Sequence, residues 1–361
     1  MNSYKHYLFA SLVLTCLALF CVGTISYIID PANIYHDSSD AHNSPSVFVD
    51  HLIKSQNGLL WPGDSWNIRD IKKSFVQNKT TIDCAVIGSS RVMQISSFRE
   101  NKSLTNLCNS ITNTGVAGGG LEDYLALSYE LINRKDKPNT FIFGIDPWTL
   151  NFGRDERWER HYRDSYYSMK NMISPNSNIN ENNSLSWLKY IANLINPYYF
   201  FRSVKQIGRD DFVIEEAPEF DYSKGIDSAV LLPDGSVIYS NGFISDANQK
   251  QVPIGGINYR LEGRPFSEAA IELFSDLVKY LNKAGVSTIV ILTPYQHNVW
   301  ADKNSVTVKS LKMVESRVRK LGEETGVTIL GSFNPNNIGC TPGEFFDFMH
   351  AKDSCLSKIK N

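Results

Sequence analysis

An excess of charge of one sign is the first thing this chain lacks. Its 361 residues carry 36 Lys and Arg against 38 Asp and Glu, a formal net charge of -2, and no basic run or stripe breaks that balance. Phosphate backbones are recognised through clustered cations, so a nucleic-acid partner is not expected. Cysteine and histidine are scarce, at six and seven. No Cys-x-x-Cys occurs and no two histidines stand at helical metal-ligand spacing, so a zinc site is not indicated, and no motif calls for a cofactor. Heptads and internal repeats are missing, which leaves out coiled coils and solenoids. The 42% hydrophobic and 12% aromatic content is that of an ordinary packed fold.

Charge is absent altogether from residues 7–29. At about 1.5 Å per helical residue that stretch crosses a hydrocarbon core of about 30 Å, so it reads as one transmembrane helix. Lys5 precedes it and Asp30, Asp37 and Asp40 follow, which puts residues 1–6 in the cytoplasm and the rest of the chain across the membrane, periplasmic or on the cell surface. A cleaved signal peptide is the alternative. It is disfavoured because the apolar stretch exceeds a signal core, no Ala-x-Ala site follows, and Val13-Leu14-Thr15-Cys16 has too short an apolar lead for a lipoprotein site. Residues 30–80 read as a polar linker and approach to the core. Residues 81–361 read as one domain with an insertion at about 151–260, too long for a simple core and too uneven for two equal ones.

Strands and helices alternate through that domain, the pattern of a doubly wound parallel sheet in three layers. Strands are expected at 81–87, 107–111, 140–145, 288–292 and 327–330, and a helix at 121–133. Ile271, Phe274, Val278 and Leu281 recur on one helical face behind a potential Ser267 cap, with Gly285 as the stop; Leu311, Val314, Val318 and Leu321 repeat the pattern before Gly326. In such a sheet the ligand crevice lies beyond the carboxyl ends of the strands.

Two short motifs fall at that edge. Asp347-Phe348-Met349-His350 places a carboxylate three residues before an imidazole, on one side of a helical turn, where it can orient the ring as a general base. Gly88-Ser89-Ser90-Arg91 follows the apolar run Cys84-Ala85-Val86-Ile87, and Gly88 permits the turn that lifts a hydroxyl above the sheet. The candidate triad is Ser90, His350 and Asp347. The bland alternative makes Ser90 a polar residue capping the next helix. Gly63-Asp64-Ser65 is a rival motif, but it follows Leu60-Trp61-Pro62, where proline interrupts any strand, and reads as a loop.

These motifs, in this order, resemble the SGNH/GDSL hydrolase superfamily over roughly residue 81 to the end. Its nucleophile follows a first strand and its Asp-x-x-His lies near the C-terminus. Asn113-Thr114-Gly115 with Gly118-Gly119-Gly120 matches the second block of that family. The resemblance implies an oxyanion hole made by the N–H groups of Ser90 and Gly115; a flexible strand-to-helix turn explains the same glycines. Gly144-Ile145-Asp146-Pro147 departs from the third block by setting Asp146 where an asparagine is usual, and an ionised carboxylate cannot donate to an oxyanion. Either Asn113 substitutes as the donor, or Asp146 is protonated or turned away, or the hole is incomplete. Gly88-Ser89-Ser90-Arg91 looks most like the membrane-anchored branch that works with membrane-bound O-acyltransferases, as in alginate acetylation and teichoic acid D-alanylation. It implies a serine O-acyltransferase acting on a cell-envelope polysaccharide, with a glycan acceptor and a membrane-bound O-acyltransferase as partner. A carbohydrate O-acetylesterase of the same fold and a catalytically silent binding or assembly protein are the alternatives, the last supported by Asp146.

Arg91, Asp146, Trp148 and His297 are the candidate substrate-binding residues. His297 follows the strand ending at Leu292 and could overhang the crevice; a loop histidine is otherwise simply solvated. Cys16 and Cys21 lie in the apolar span, leaving Cys84, Cys108, Cys340 and Cys355 as disulfide candidates in an oxidising compartment. Cys340 and Cys355 bracket the Asp347/His350 turn, and Cys84 with Cys108 would link neighbouring strands; four buried free thiols are the alternative. Within the insertion, Arg154, Arg157, Arg160 and Arg163 alternate with Trp158, Tyr162, Tyr166 and Tyr167. Asp155, Glu156, Glu159 and Asp164 neutralise the arginines, which favours a solvated amphipathic helix with its aromatic side inward over a glycan site. Residues 176–183 read as a polar loop and Pro233-Asp234-Gly235-Ser236 as a hairpin turn.

Overall fold

The computed structural model describes residues 2–30, 35, 44–62, 66–99, 101, 104, 107–152, 157–175, 191–192, 194–207, 213–219, 226–249, 254–255 and 266–359. Gly63-Asp64-Ser65, Arg154, Asp155, Glu156, Asp37, Asp40 and the loop at 176–183 lie outside these. The chain divides into two compact units, one of Met1–Ser44, Pro62–Asn67 and Ser177–Val213, the other of Pro45–Trp61, Ile68–Asn176 and Ile214–Asn361.

The first unit is built on α1 (Asn2–Ile29). Residues 4–29 of this helix are long and apolar enough to cross a membrane. Its side chains are exposed from Tyr4 to Cys21, and cover begins only at Val22, with Ser26 and Asp30 buried.

The second unit is α/β. Residues 45–80, expected as a linker, instead carry α2 (Pro45–Lys54) and α3 (Ile68–Asn78). Phe48, Val49 and Leu52 of α2, and Ile71 and Phe75 of α3, are buried. Their three- and four-residue spacing is a helical stripe diluted by polar neighbours. A five-stranded parallel sheet follows. Numbering from β1 (Leu59–Leu60), which belongs to a separate sheet, its strands are β2 (Cys84–Ile87), β3 (Ile111–Asn113), β4 (Thr140–Gly144), β7 (Ser287–Leu292) and β8 (Thr328–Gly331), in spatial order β3-β2-β4-β7-β8. Val86 pairs with Ile142 across β2 and β4, and Ile142 with Ile289 across β4 and β7. Every residue of β2 is buried, which is why it reads as an unbroken apolar run rather than an alternating one.

β3 begins later than expected. Cys108 is disulfide-bonded to Cys84 in the loop ahead of the strand, and the Asp83 carboxylate accepts from the N–H of Asn109 at 2.9 Å. The pairing of Cys84 with Ile111 therefore starts the ladder.

Helices cover the sheet: α4 (Leu121–Ile132), then the short α5 (Arg157–His161) and α6 (Arg163–Ile173), the last packing on α4. Trp158, Tyr162 and Tyr166 are buried there, so the aromatic side of the Arg- and Tyr-rich stretch does face inward. After α7 (Pro197–Gln206), which belongs to the first unit, a hairpin of β5 (Val230–Leu231) and β6 (Val237–Ile238) joins β1 in an antiparallel sheet of order β1-β5-β6. α8 (Asn241–Gln249) follows. In α9 (Glu268–Lys283) Ile271, Phe274, Val278 and Leu281 are buried, and in α10 (Val306–Thr325) Leu311, Val314, Val318 and Leu321. Gly326 ends α10 in the left-handed region at φ 73°. Ser267 occupies the cap position of α9, yet its side chain makes no capping bond. The chain closes through α11 (Asp353–Leu356), where Cys355 is bonded to Cys340.

Candidate active site

β2 ends at Ile87, and the chain turns at Gly88 into a single 3-10 turn, Ser90–Val92, whose first N–H groups are partly capped by the Ser89 hydroxyl accepting from Arg91 N. Val92 wedges the turn against the ends of two strands. Val92 sits so close to Gly88 and Gly144 that a Cβ on either would lie 2.6 Å or 2.2 Å from its methyl groups. Nothing larger than glycine fits at those two strand ends while Val92 keeps its place.

The C-terminal motif is not helical. Phe345 and Ala351 form an antiparallel bridge and Phe346 N donates to His350 O at 2.9 Å, so residues 346–350 are a short hairpin loop. The Asp347 carboxylate shapes it: Oδ1 accepts from Met349 N at 2.8 Å and His350 N at 2.7 Å, while Oδ2 meets His350 Nδ1 at 2.7 Å. A three-residue spacing serves such a side-chain turn as well as it serves a helix. Burial pushes the Asp347 carboxyl up, but the His350 bond and these N–H groups outweigh it and hold the group below the usual aspartate range. His350 Nε2 lies 2.9 Å from Ser90 Oγ. With the proton on Nδ1 directed at Asp347, Nε2 is free to accept from the serine hydroxyl. The disulfide Cys340–Cys355 spans the segment that carries both residues.

Arg91, expected at the substrate, points into the interior. It is buried, with Nη1 2.8 Å from Asp146 Oδ1, Nε 3.0 Å from Met349 O, Nη2 on Thr293 O and 3.1 Å from Pro294 O, and its guanidinium 3.9 Å above the Tyr295 ring. One side chain thus ties the Ser90 turn to the ends of β4 and β7 and to the residue before His350. Asp146 is its counter-ion, buried rather than lining a cleft; burial pushes its pKa up against the pull of Arg91. The Ser89 hydroxyl, beside it, opposes that upward shift along with Arg91. Trp148 is also buried, with Nε1 3.3 Å from Gly119 O. These three candidate substrate residues are scaffold, because each satisfies a polar group at the sheet edge that would otherwise be orphaned. His297 remains half-buried, edge-on to Phe345 at 6.2 Å.

Two of the three expected oxyanion donors, Gly115 and Asn113, are engaged as well. Gly115 N donates to Asn113 Oδ1 at 2.9 Å, and Asn113 Nδ2 donates to Val92 O at 2.8 Å and Ile95 O at 2.9 Å. Asn113 therefore braces the Ser90 turn. Among the described residues nothing accepts from the Ser90 N–H.

Residues that the sequence did not single out form one wall of the site. Tyr239, just beyond β6, donates its hydroxyl to Ser90 O at 3.2 Å. Its ring stands edge-on to His350 at 6.0 Å, with Phe243 of α8 at 6.1 Å from the same imidazole and Phe346 at 5.2 Å from Tyr239. The hairpin turn reaches the sheet through Asn113 N donating to Asp234 O at 2.6 Å and Val237 N to Met93 O at 2.9 Å. Behind it the buried Lys72 donates to Asn113 O and Gly235 O; desolvation lowers its pKa to about 7 against the pull of Asp234. No spacing rule links Tyr239 to Ser90.

Among the described residues no group of three His, Cys, Asp or Glu side chains is placed to hold a metal ion. What the arrangement offers is a hydroxyl on a tight turn, an imidazole against it, and a carboxylate that fixes the imidazole, beside an apolar aromatic wall. The chain matches no protein-family model, and no curated protein matches it.

Proposed function

We propose that this chain is a membrane-anchored, extracytoplasmic serine O-acyltransferase of SGNH-like type, which passes an acyl group through Ser90 to a hydroxyl of a cell-envelope polysaccharide. The observation that carries the reading is the unbroken relay from Ser90 Oγ to His350 Nε2 at 2.9 Å and from His350 Nδ1 to Asp347 Oδ2 at 2.7 Å. His350 takes the serine proton as Oγ attacks the acyl carbonyl, and returns it to the leaving group of the donor, leaving acyl-Ser90. It then takes the proton of the acceptor hydroxyl, whose oxygen attacks the acyl carbon; the new ester departs and Ser90 regains its proton. With water as acceptor the same steps make an esterase. The apolar anchor favours transfer, since tethering raises the local concentration of a membrane-held acyl donor such as a membrane-bound O-acyltransferase would supply. The two disulfides support an oxidising compartment.

A second reading, a silent binding or assembly protein, is favoured by the engaged Gly115 and Asn113 donors and by Asp146, whose carboxylate is paired with Arg91 and has no proton-bearing group to offer an oxyanion. A fluorophosphonate probe, which reacts with an activated serine, separates the two. Labelling of the purified full chain that is lost in Ser90→Ala and kept in Ser65→Ala is the expected result. No labelling of well-folded protein would sink the acyl-serine reading. Release of free acid with no modified glycan would convert transferase to esterase.

A further inference from the structure

Helix α7 presents an apolar face that, among the described residues, nothing in its own unit covers. Tyr199 and Ser203, four residues apart, are buried, whereas Tyr198 is 72% and Phe201 64% exposed and Val204 is exposed beside them. A helix exposing two aromatic rings and a valine on one side is amphipathic in the wrong sense for water.

Its inner face is fixed to the end of α1. Tyr199 donates its hydroxyl to Asp30 Oδ1 at 2.5 Å, and Asp30 Oδ2 accepts from Tyr35 N at 2.7 Å. The rings of Tyr35 and Tyr199 meet edge-on at 6.1 Å, and Tyr27 lies 5.6 Å from Tyr35. A Cβ on Gly23 would lie 3.9 Å from Leu194 Cβ, so the lead into α7 crosses α1 at Gly23. The uncovered part of α1, from Tyr4 to Cys21, is about 27 Å long at about 1.5 Å per residue, close to the hydrocarbon thickness of about 30 Å. α7 covers α1 just where that thickness runs out. A cluster of tyrosines at that level is the composition of a membrane interface. From Leu194 to Ile207 the chain carries Arg202 and Lys205 and no acidic residue, which suits an anionic headgroup layer.

We propose that α7 is an interfacial membrane helix, packed on the outer end of α1, with Tyr198, Phe201 and Val204 set into lipid at the headgroup boundary. The occupant of the exposed face is the bilayer because α7 is packed on α1 at Gly23 and Asp30, where Tyr27 and Ile28 of α1 are exposed as well, directly after the stretch from Tyr4 to Cys21 whose side chains are all exposed. The proposal rests on the reading of α1 as a membrane span, and the test keeps the two apart.

The full chain with Cys16→Ser and Cys21→Ser, which leaves only disulfide-bonded cysteines, is given one nitroxide at a time through Leu14→Cys, Phe201→Cys or Glu272→Cys and reconstituted in phosphatidylethanolamine/phosphatidylglycerol vesicles. Collision rates with oxygen and with a water-soluble nickel chelate are measured. All three side chains are exposed, so the labels displace no core. Nickel accessibility at least three-fold lower at Phe201 than at Glu272, with oxygen accessibility undiminished, is the expected result. A Phe201 label as open to nickel as Glu272, while Leu14 stays in lipid, overturns the proposal and spares the anchor. A Phe201 label shielded from both quenchers means a protein covers the face, and also overturns it. A Leu14 label open to nickel removes the anchor and the proposal together.

Discussion

Replacing Arg91 with methionine keeps most of the side-chain volume and removes the guanidinium that joins four segments. Its donors serve Asp146 Oδ1 and three main-chain carbonyls, those of Thr293, Pro294 and Met349. Both partners of the ion pair are almost wholly buried, at 0% and 2% side-chain exposure. Breaking such a pair by deleting one member costs ~3–5 kcal/mol, since the other charge is left without compensation. Asp146 has an escape: its carboxyl is already pushed up by burial, so with Arg91 gone it takes a proton and the loss settles near the lower bound. A destabilisation of about 3 kcal/mol lowers the melting temperature of a domain this size by about 5 °C. The loss should shrink as pH falls, because protonation of Asp146 becomes cheaper. Asp146→Asn leaves the guanidinium charge buried with its carbonyl partners alone, and the double variant removes both charges. Denaturant midpoints of the four proteins give the coupling, expected at 1 kcal/mol or more. Fluorophosphonate labelling of Ser90 should also slow at least ten-fold in Arg91→Met, as the residue before His350 loses its tether. Additivity within about 0.5 kcal/mol, or wild-type labelling in Arg91→Met, would refute Arg91 as the bond between the two halves of the site.

The sheet was legible where burial leaves no choice. Cys84-Ala85-Val86-Ile87 and the run through Leu292 are strands because both faces are covered, and the apolar spacing of α9 and α10 survives every neighbour. α2 and α3 were missed because polar residues share their stripe, Arg69 and Lys72 among the buried ones. The meeting of Ser90 with His350 was readable from two motifs at the carboxyl edge of one sheet. The role of Arg91 was not, yet its ingredients were present: β2 and β4 are neighbours, so the residues just after them, Arg91 and Asp146, come to the same edge with opposite charges. Asp146 looked like a flaw in an oxyanion hole when read against a motif, and is a counter-ion when read against its neighbour. Asn113 looked like a donor, but a side chain at the end of β3 finds the carbonyls of Val92 and Ile95 first. Tyr239 reaches Ser90 over 149 positions of sequence, a distance across which no local pattern carries information.

Asp347→Asn should cut probe labelling and any acyl transfer by up to ~10⁴-fold, since the amide no longer holds the His350 tautomer; full activity would remove Asp347 as the orienting group. Gly144→Ala places a Cβ 2.2 Å from a Val92 methyl and should destabilise by ~1–3 kcal/mol, with Val92→Ala restoring part of the loss in the double variant; no recovery would mean that the clash lies elsewhere. Lys72 gives a pH signature. Its folded pKa is about 7 against 10.5 unperturbed, so between those values the unfolded chain keeps a proton that the folded chain has released. Stability from this group is therefore fully present above about pH 10.5, and is lost as pH falls toward 7, with a slope of at most about 1.4 kcal/mol per pH unit. Lys72→Met deletes that slope while leaving Asn113 O and Gly235 O without their donor, a pH-independent loss of ~1–3 kcal/mol. Urea midpoints of both proteins from pH 7 to pH 9 should diverge, the wild type gaining on the variant as pH rises. Parallel midpoints would show that Lys72 stays charged when folded, held by Asp234 and the two carbonyls, and the hairpin would then be pinned to β3 by an ammonium rather than a neutral amine.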